Sequence, residues 1–296
     1  MAENDNPPTI ELAAVLDGLR PRPGRTYSAT YIGLVLDGAG ATHQAIIKDL
    51  PIRDLVRELV GASIARRAQV AVPRCFLAVV EDAALSSAHG PMYGANRRLV
   101  FASQLVPGEQ VMTLLNGNLP AKVYAALISW PGLPSLFAFD TWVANIDRHA
   151  GNIMARSSTD FCAIDHGHCF NGPWTNVADL DAAAAFRNRL AEWLIPQMSP
   201  DAKLTFLGAI ANLPREMLEF DVGSALDQSL AFRIDLGLSR AKLLQFLNLR
   251  RTRLSELSHE AFGRRISVSS VPVKPAPPPS IKAIHRYLTS YRCGMP

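Results

Sequence analysis

The sequence predicts an α+β fold with two lobes, a small N-terminal β-sheet lobe that carries one helix and a mainly helical C-terminal lobe. Between residues 27 and 108, segments rich in β-branched and aromatic residues alternate with turns that contain Gly or Pro. Beyond residue 108 the apolar residues mostly recur at helical spacing instead. With 296 residues, 48% of them hydrophobic and 19% charged, the chain is long enough to bury a core in each lobe.

Proline-rich stretches at both ends complete the division of the chain. The chain is predicted to consist of an N-terminal arm (1–26), the sheet lobe (27–108), the helical lobe (109–265) and a Pro-rich linker with a C-terminal tail (266–296). A short apolar pattern at 10–19 predicts one helix in the arm. A second short helix is predicted in the tail at 281–291.

The sheet lobe is predicted to begin with a β-hairpin. Residues 31–36 and 43–48 are rich in β-prone residues, and Asp-Gly-Ala-Gly at 37–40 has the composition of a turn. Two further strands are predicted at 74–80 and 98–103.

One helix interrupts these strands. Pro51 is compatible with its first turn, and the apolar residues that follow have the spacing of a single buried stripe: Ile52, Leu55, Val56, Leu59, Val60 and Ile64. Glu58 lies on the flank of this stripe. After the last strand, Gln-Leu-Val-Pro-Gly at 104–108 breaks the pattern and predicts a hinge between the lobes.

The helical lobe contains four clear helical patterns. They lie at 121–130, 133–145, 181–194 and 238–257.

The most informative stretch is Asn-Ile-Asp-Arg-His-Ala-Gly-Asn at 145–152, followed by Phe-Cys-Ala-Ile-Asp-His-Gly at 161–167. A phosphoryl-transfer site needs a carboxylate that orients the attacking hydroxyl and accepts its proton. It also needs an amide and a second carboxylate that hold Mg²⁺ against the phosphates of ATP. The pattern predicts Asp147 as the catalytic residue and Asn152 and Asp165 as the metal ligands.

A second hairpin is predicted to bring the two metal ligands together. Residues 152–155 and 161–164 have strand patterns, and Arg-Ser-Ser-Thr-Asp at 156–160 supplies the turn. This hairpin returns Asp165 beside Asn152.

The same stretch resembles two known families. Asp-Arg-His-x-x-Asn-Ile-Met at 147–154 and Ile-Asp-x-Gly-x-x-Phe at 164–170 are similar to the catalytic core of the phosphatidylinositol kinases and of the HipA-like bacterial protein kinases. Phe-Asp-x-Trp-x-x-Asn at 139–145, and the short chain, are more similar to the HipA-like branch. The resemblance is dense over 135–170 and weaker over 27–108. It implies a kinase-like two-lobed fold and transfer of phosphate to a Ser or Thr hydroxyl of a protein.

The resemblance also implies roles for residues of the sheet lobe. Lys48 ends a strand that follows a Gly-containing turn, where it is predicted to neutralise the phosphates of ATP while Gly38 and Gly40 let backbone amides approach them. Glu58 is predicted to pair with Lys48 and hold it in position. An ordinary hairpin with a surface Lys is the alternative, as is a solvated Glu58 whose role passes to Glu81 or Asp82.

Other residues near the motif have simpler interpretations. A zinc site at Cys162, His166, His168 and Cys169 does not match the paired ligand spacing of a structural finger, so hydrophobic packing of the cysteines is favoured. Asp140 is interpreted as a support for the catalytic loop. His166 stands where many kinases carry Phe or Asn, so regulation by an aromatic residue at that position is not implied.

Composition excludes several functional classes. The formal net charge is only +4, and basic stretches such as Arg-Pro-Arg-Pro-Gly-Arg at 20–25 are interpreted as solvated surface, which argues against nucleic-acid binding. The four cysteines show no disulfide framework, and no apolar run is long enough to span a membrane. The N-terminus lacks the pattern of a signal peptide, so we expect a cytoplasmic protein.

The acceptor and partners are less constrained. No Lys or Arg occurs between Arg156 and Arg187, which favours a protein acceptor over a lipid on an anionic bilayer. A phosphatidylinositol-type lipid kinase stays open as an alternative, as does a catalytically silent nucleotide-binding or toxin-like module. An antitoxin or other regulatory protein is the further partner expected.

Overall fold

Six strands form an N-terminal sheet that curls back on itself. The computed structural model describes residues 8–23, 28–172, 175–235 and 237–263. In chain order the strands are β1 (Ile10–Val15), β2 (Arg20–Pro21), β3 (Ala29–Asp37), β4 (Thr42–Asp49), β5 (Cys75–Glu81) and β6 (Arg97–Gln104). They pair in the order β1-β5-β6-β4-β3-β2, and β1 also pairs with β3. The curled sheet encloses a small apolar cluster formed by Tyr31, Val35, Ala45, Ile47, Phe76, Ala78, Val80, Val100 and Ala102.

The predicted first hairpin and the two later strands are confirmed. β3 and β4 pair antiparallel from Leu36 opposite Thr42 to Ala29 opposite Asp49. The Asp37 carboxylate accepts hydrogen bonds from the backbone N–H groups of Ala39 (3.0 Å) and Ala41 (2.8 Å), which closes the turn.

The N-terminal arm is not helical where a helix was predicted. Residues 10–15 form β1, which runs parallel to β5 with Ile10 opposite Cys75 and Ala14 opposite Val79. A short apolar pattern fits both a helix and a strand, and here a distant pairing partner decides between them. The sheet therefore begins within the segment that we predicted to be a separate arm.

The C-terminal part of the described chain is mainly helical. In chain order the helices are α1 (Ile52–Arg67), α2 (Val111–Leu115), α3 (Pro120–Ile128), α4 (Leu133–Trp142), α5 (Arg189–Leu194), α6 (Pro200–Ala211), α7 (Arg215–Leu218), α8 (Val222–Gln228), α9 (Ala231–Ile234), α10 (Arg240–Thr252) and α11 (Leu254–Gly263). The predicted helices at 121–130 and 133–145 are confirmed with shorter C-terminal ends.

The pattern at 181–194 is helical only in its last six residues. Asn188 caps α5, because its side chain accepts a hydrogen bond of 3.1 Å from the backbone N–H of Ala191. Before the cap, the carbonyls of Ala182 and Ala184 accept hydrogen bonds from the buried Arg250 of α10. This tertiary contact outweighs the high helix propensity of the alanine run.

Helix α1 is more completely buried than its sequence predicted. Its whole central stretch, residues 55–65, is buried, including Arg57 and Glu58, whereas the sequence predicted one buried stripe. The reason is its position, because α1 contacts the sheet and also helices α8 and α9. Polar residues on α1 therefore need partners inside the protein.

A small three-stranded sheet connects the two parts of the chain. It consists of β7 (Glu109–Gln110), β8 (Ile153–Ala155) and β9 (Phe161–Ala163), in the order β7-β8-β9. Ile153 lies opposite Ala163, as the predicted second hairpin requires. That hairpin is confirmed.

The fold is thus mixed α/β, with an N-terminal sheet and a helical C-terminal part. No helix in the described ranges is long and apolar enough to cross a membrane. The domain boundaries after residues 108 and 265 stay predictions. The Pro-rich linker and the tail helix predicted at 281–291 lie outside the described residues.

Gly61 allows α1 to approach the segment after β9. A Cβ atom on Gly61 would lie 2.6 Å from Cβ of His166 and 3.0 Å from Sγ of Cys169. Both neighbours are buried and cannot move aside freely. The glycine is therefore required by packing, since it lies within a regular helix.

We expect Gly61→Ala to lower the free energy of unfolding by about 1–3 kcal/mol through overpacking. Gly208→Ala is the matched control, because Gly208 lies on the exposed face of α6 with no neighbour near the added Cβ. Helix propensity alone predicts that this control raises the stability by about 0.5–1 kcal/mol. Chemical denaturation measures both, and equal effects of the two substitutions would contradict the close approach.

Candidate active site

Three charged side chains meet between β4, α1 and the end of the β8–β9 hairpin. Nζ of Lys48 donates a hydrogen bond to Oε1 of Glu58 and lies 3.2 Å from Oδ1 of Asp165. Oε2 of Glu58 accepts a hydrogen bond of 2.7 Å from the backbone N–H of His166. Glu58 therefore holds both the Lys48 side chain and the backbone that follows Asp165.

The alternatives to Glu58 do not lie in this cluster. Glu81 is exposed at the end of β5, where it accepts a hydrogen bond from Asn96. Asp82 forms an ion pair with Arg98. Of Glu58, Glu81 and Asp82, it is Glu58, 1% exposed, that contacts Lys48.

One buried cation is shared by two carboxylates, which separates their pKa values. Burial raises the pKa of Glu58 to about 7, although the charge of Lys48 opposes this rise. For Asp165, burial also acts to raise the pKa, but the positive charges of Lys48 and Arg148 and the hydrogen bonds within the cluster together outweigh it and hold the pKa below its usual range. Burial acts to lower the pKa of Lys48, but Asp165 and Glu58 keep it above its ordinary value.

Asp147 and Asn152 begin and end the predicted catalytic loop. The backbone N–H of Asp147 donates to Oδ1 of Asn145 (3.2 Å), and Nδ2 of Asn152 donates to the carbonyl of Asp147 (3.0 Å). The carbonyl of Asn152 accepts a hydrogen bond of 3.1 Å from the N–H of Ile164, next to Asp165. The structure thus links Asp147, Asn152 and the hairpin end through backbone contacts.

Arg148 joins the catalytic loop to the core. Its side chain is fully buried, and it forms an ion pair with the buried Asp140 of α4, with 3.0 Å between Nε and Oδ2. Nη1 donates to the carbonyls of Asn152 (3.1 Å), Ile164 (2.5 Å) and Asp165 (3.3 Å). Asp140 therefore supports the loop through Arg148, as its position before the motif predicted.

The backbone at Asp165 has an unusual conformation. Its φ is +64°, in the left-handed region that is uncommon for residues other than glycine. This turn lets the carboxylate contact Lys48 while the next N–H contacts Glu58. Such strain concentrates at functional sites and persists because surrounding contacts fix it.

His166 is a neutral, buried ring. Burial, followed by the charge of Arg148, lowers the pKa of His166 well below its ordinary value. Its Nδ1 lies 3.4 Å from Nη2 of Arg148, so we assign the proton to Nε2. The ring packs edge-on against Phe139 at 5.7 Å between centroids.

A cleft opens beside the charged cluster. Lys48, Asn152 and Asp165 lie at one side of it, and the predicted hinge contributes Gln104, Leu105 and Val106. Its apolar lining comes from Ile46, Phe101, Met154 and Ile164. Apolar walls with a few convergent polar groups are typical of small-molecule sites.

Gly38 and Gly40 do not lie at this cleft. They form the β3–β4 turn, at the opposite end of β4 from Lys48, which is eight residues beyond Gly40 or about 26 Å of extended strand. Amides of this turn are also used by the Asp37 carboxylate. The structure therefore does not bring these two glycines to the other predicted residues.

Two arginines at the site, Arg22 and Arg189, were not predicted from the sequence. Arg22 lines the cleft, because the β2–β3 end of the sheet lies beside Lys48, which is opposite Thr30 of β3. It belongs to the basic stretch that we interpreted as solvated surface. Arg189 contacts the carboxylate of Asp147 from 42 positions away, and no local pattern in the sequence indicates such a contact.

Asn152 and Asp165 provide oxygen ligands that fit Mg²⁺. The amide nitrogen of Asn152 is used by the Asp147 carbonyl, which leaves its Oδ1 as the coordinating atom. The lowered pKa of Asp165 keeps its carboxylate ionised at neutral pH. No cluster of three or more His, Cys, Asp or Glu side chains suited to a metal occurs within the described ranges.

A match to a family model over the part of the chain that contains the candidate site shows the family of the protein. A family model described as "HipA-like kinase" matches residues 40–213, which contain the charged cluster, the catalytic loop and the hairpin. The chain belongs to the HipA-like kinase family. The resemblance found in the sequence is confirmed, and the family supports a phosphotransferase function. No curated protein matches the sequence significantly.

Two solved structures are similar to this HipA-like kinase at low sequence identity. The crystal structure of a Helicobacter pylori proinflammatory kinase, CtkA, has 13% identity and a TM-score of 0.46, with 79% of this chain and 96% of that chain covered. The complete CtTel1 dimer with C2 symmetry has 10% identity and a TM-score of 0.34, with 86% and 12% covered.

The raised pKa of Glu58 predicts a pH-dependent contribution to stability. Between its ordinary value of 4.5 and about 7, the folded protein binds a proton that the unfolded chain releases. The contribution of Glu58 is therefore fully present below about pH 4.5 and is lost as the pH rises through 7. We expect the free energy of unfolding of the wild type, relative to Glu58→Gln, to decrease over this range in chemical denaturation.

The matched control is Glu81→Gln, because this exposed carboxylate lies outside the cluster. A difference between wild type and Glu58→Gln that stays constant or rises over the same pH range would contradict the shared-cation arrangement.

Proposed function

We propose that the protein is an ATP-dependent kinase that transfers the γ-phosphoryl group of Mg-ATP to a Ser or Thr hydroxyl of a protein. The observation that carries this proposal is the contact of Lys48 with both Glu58 and Asp165, at a cleft that Asn152 also lines. A cation fixed between two carboxylates is suited to phosphate binding because its position and charge are set before the ligand arrives.

The nucleotide is proposed to bind between two lobes, formed by the N-terminal sheet with α1 and by the helical part. The apolar residues Ile46, Met154 and Ile164 would contact the adenine, and the hinge at 104–106 would face its edge. Lys48 and Arg22 would lie near the phosphates. Mg²⁺, held by Asn152 and Asp165, would supply positive charge to the phosphate oxygens.

Asp147 is proposed to act on the acceptor. It would hydrogen-bond to the acceptor hydroxyl and accept its proton while the hydroxyl oxygen forms a bond to the γ-phosphorus. The bond from that phosphorus to the bridging oxygen breaks, and its electron pair leaves with ADP. The Asp147 side chain is 24% exposed, which is compatible with access by a macromolecular acceptor.

A protein acceptor is favoured over a lipid by the charges around the loop. The nearest arginines after the hairpin, Arg187 and Arg189, are both paired with carboxylates, of Glu192 and Asp147 respectively. A face that rests on an anionic bilayer needs unpaired basic groups instead. An antitoxin or regulatory partner and a cytoplasmic location stay predictions.

Asp147→Asn tests the proposed chemistry most directly. We expect it to lower the rate of γ-phosphate transfer by about 10²–10⁴-fold, because the proton acceptor is lost. The rise in melting temperature caused by Mg-ATP should be unchanged, because the nucleotide contacts remain. Lys48→Ala should reduce both quantities.

The assay uses labelled ATP with the purified protein, with cell lysate and with phosphoinositide vesicles in parallel. Label in lipid but not in protein would overturn the acceptor class. No melting shift with Mg-ATP, together with no binding in a direct assay, would overturn the nucleotide site itself.

A further inference from the structure

We propose that Arg189 is a positioning residue for Asp147, holding one carboxylate oxygen so that the other is presented to the acceptor hydroxyl. This inference rests on the proposed kinase function. Nη1 of Arg189 donates to Oδ1 of Asp147. Neither the family resemblance nor the local motif indicates this residue.

The contact fixes a side chain that the loop itself does not fix. The backbone of Asp147 is held at its N–H by Asn145 and at its carbonyl by Asn152. Its carboxylate, however, makes no other hydrogen bond to the residues that the structure describes. Oδ2 lies 3.8 Å from Nε2 of His149, which is beyond hydrogen-bonding distance. Oδ1 is therefore occupied, and Oδ2 is the oxygen left for a substrate proton.

Arg189 starts from an anchored piece of backbone. It is the first residue of α5, directly after the cap Asn188. The buried side chain of Asn188 donates to the carbonyl of Phe137 (3.2 Å) and to Oγ1 of Thr141 (2.9 Å), both in α4. On the next turn, Nε1 of Trp193 donates to the carbonyl of Arg148 within the catalytic loop (3.0 Å). The base of the Arg189 side chain is thus tied to α4 and, through α5, to the loop.

The contact of Arg189 with Asp147 mainly orients the carboxylate, and its electrostatic contribution is small. The side chains of Arg189 and Asp147 are 37% and 24% exposed, so water screens their attraction. An ion pair of this kind adds little stability, but a guanidinium that donates from a fixed position restricts the rotation of the carboxylate. Orientation of a base by a third group is a general requirement of efficient proton transfer. Because Arg189 is anchored, it fits this role better than that of an autoinhibitory residue, which would have to move away from Asp147 before the reaction.

The test compares Arg189→Ala with wild type in the phosphate-transfer assay on the full chain. We expect kcat to fall by about 10- to 100-fold, as for a misplaced catalytic group, with KM for ATP changed less than about twofold. Arg189→Lys should recover part of kcat because it retains one donor. Arg187→Ala is the matched control, since Arg187 lies two residues away and pairs with Glu192.

A higher kcat of Arg189→Ala would show that Arg189 inhibits Asp147 in the wild type, and would overturn the inference. An unchanged kcat, or equal losses in Arg189→Ala and Arg187→Ala, would also overturn it while leaving the kinase function intact. The contact is testable without turnover. Because the pair adds little stability, the free energies of unfolding of Asp147→Ala, Arg189→Ala and the double variant are compared at low salt, where screening is weakest; they should be slightly non-additive, and additive values would overturn the contact even if the wild type transfers no phosphate.

Discussion

The buried ion pair between Arg148 and Asp140 is the contact on which the candidate site depends. Both side chains are 0% exposed, so neither charge can be satisfied by water. An unpaired charge at this depth costs several kcal/mol, which restricts the chain to arrangements that keep the pair together. Because Arg148 also donates to the carbonyls of Asn152 and Asp165, the pair fixes the backbone of both predicted metal ligands. The catalytic loop is thus positioned from the core outward.

Helix α1 supplies the second constraint, because it links the N-terminal sheet to the same hairpin end. Glu58 contacts Lys48 of the sheet with one oxygen and the His166 N–H with the other. Three positions later, Gly61 allows the helix to approach His166 closely. A displacement of α1 would therefore move Lys48 and Asp165 apart. The position of α1 therefore bears on whether Lys48, predicted to bind phosphate, and Asp165, a predicted metal ligand, share a site.

The sequence was informative where function requires fixed local spacing. Asp147, Asn152 and Asp165 are connected by a short loop and a hairpin whose turn residues are distinctive, so their neighbourhood was predictable. Lys48 was predicted from its place at the end of a strand together with the downstream motif, whereas the pairing of Glu58 with it followed from the family resemblance. Gly38 and Gly40 were misplaced because a Gly-containing turn does not reveal which end of a hairpin faces a cleft. The strand β1 and the contact of Arg189 with Asp147 depend on residues more than 40 positions away, for which a single sequence carries no signal.

Hydrogen exchange in Arg148→Lys, with Arg250→Lys as the matched control, shows whether the buried ion pair fixes the catalytic loop and the hairpin end. Arg250 is also buried, but its guanidinium donates to the carbonyls of Thr141 and Trp142 and so ties α10 to the end of α4. Under conditions where both variants stay folded, we expect faster exchange at 147–152 and 161–167 in Arg148→Lys and unchanged exchange there in Arg250→Lys. Unchanged exchange of these two segments in Arg148→Lys, or the same increase in both variants, would show that the Arg148–Asp140 pair does not hold them.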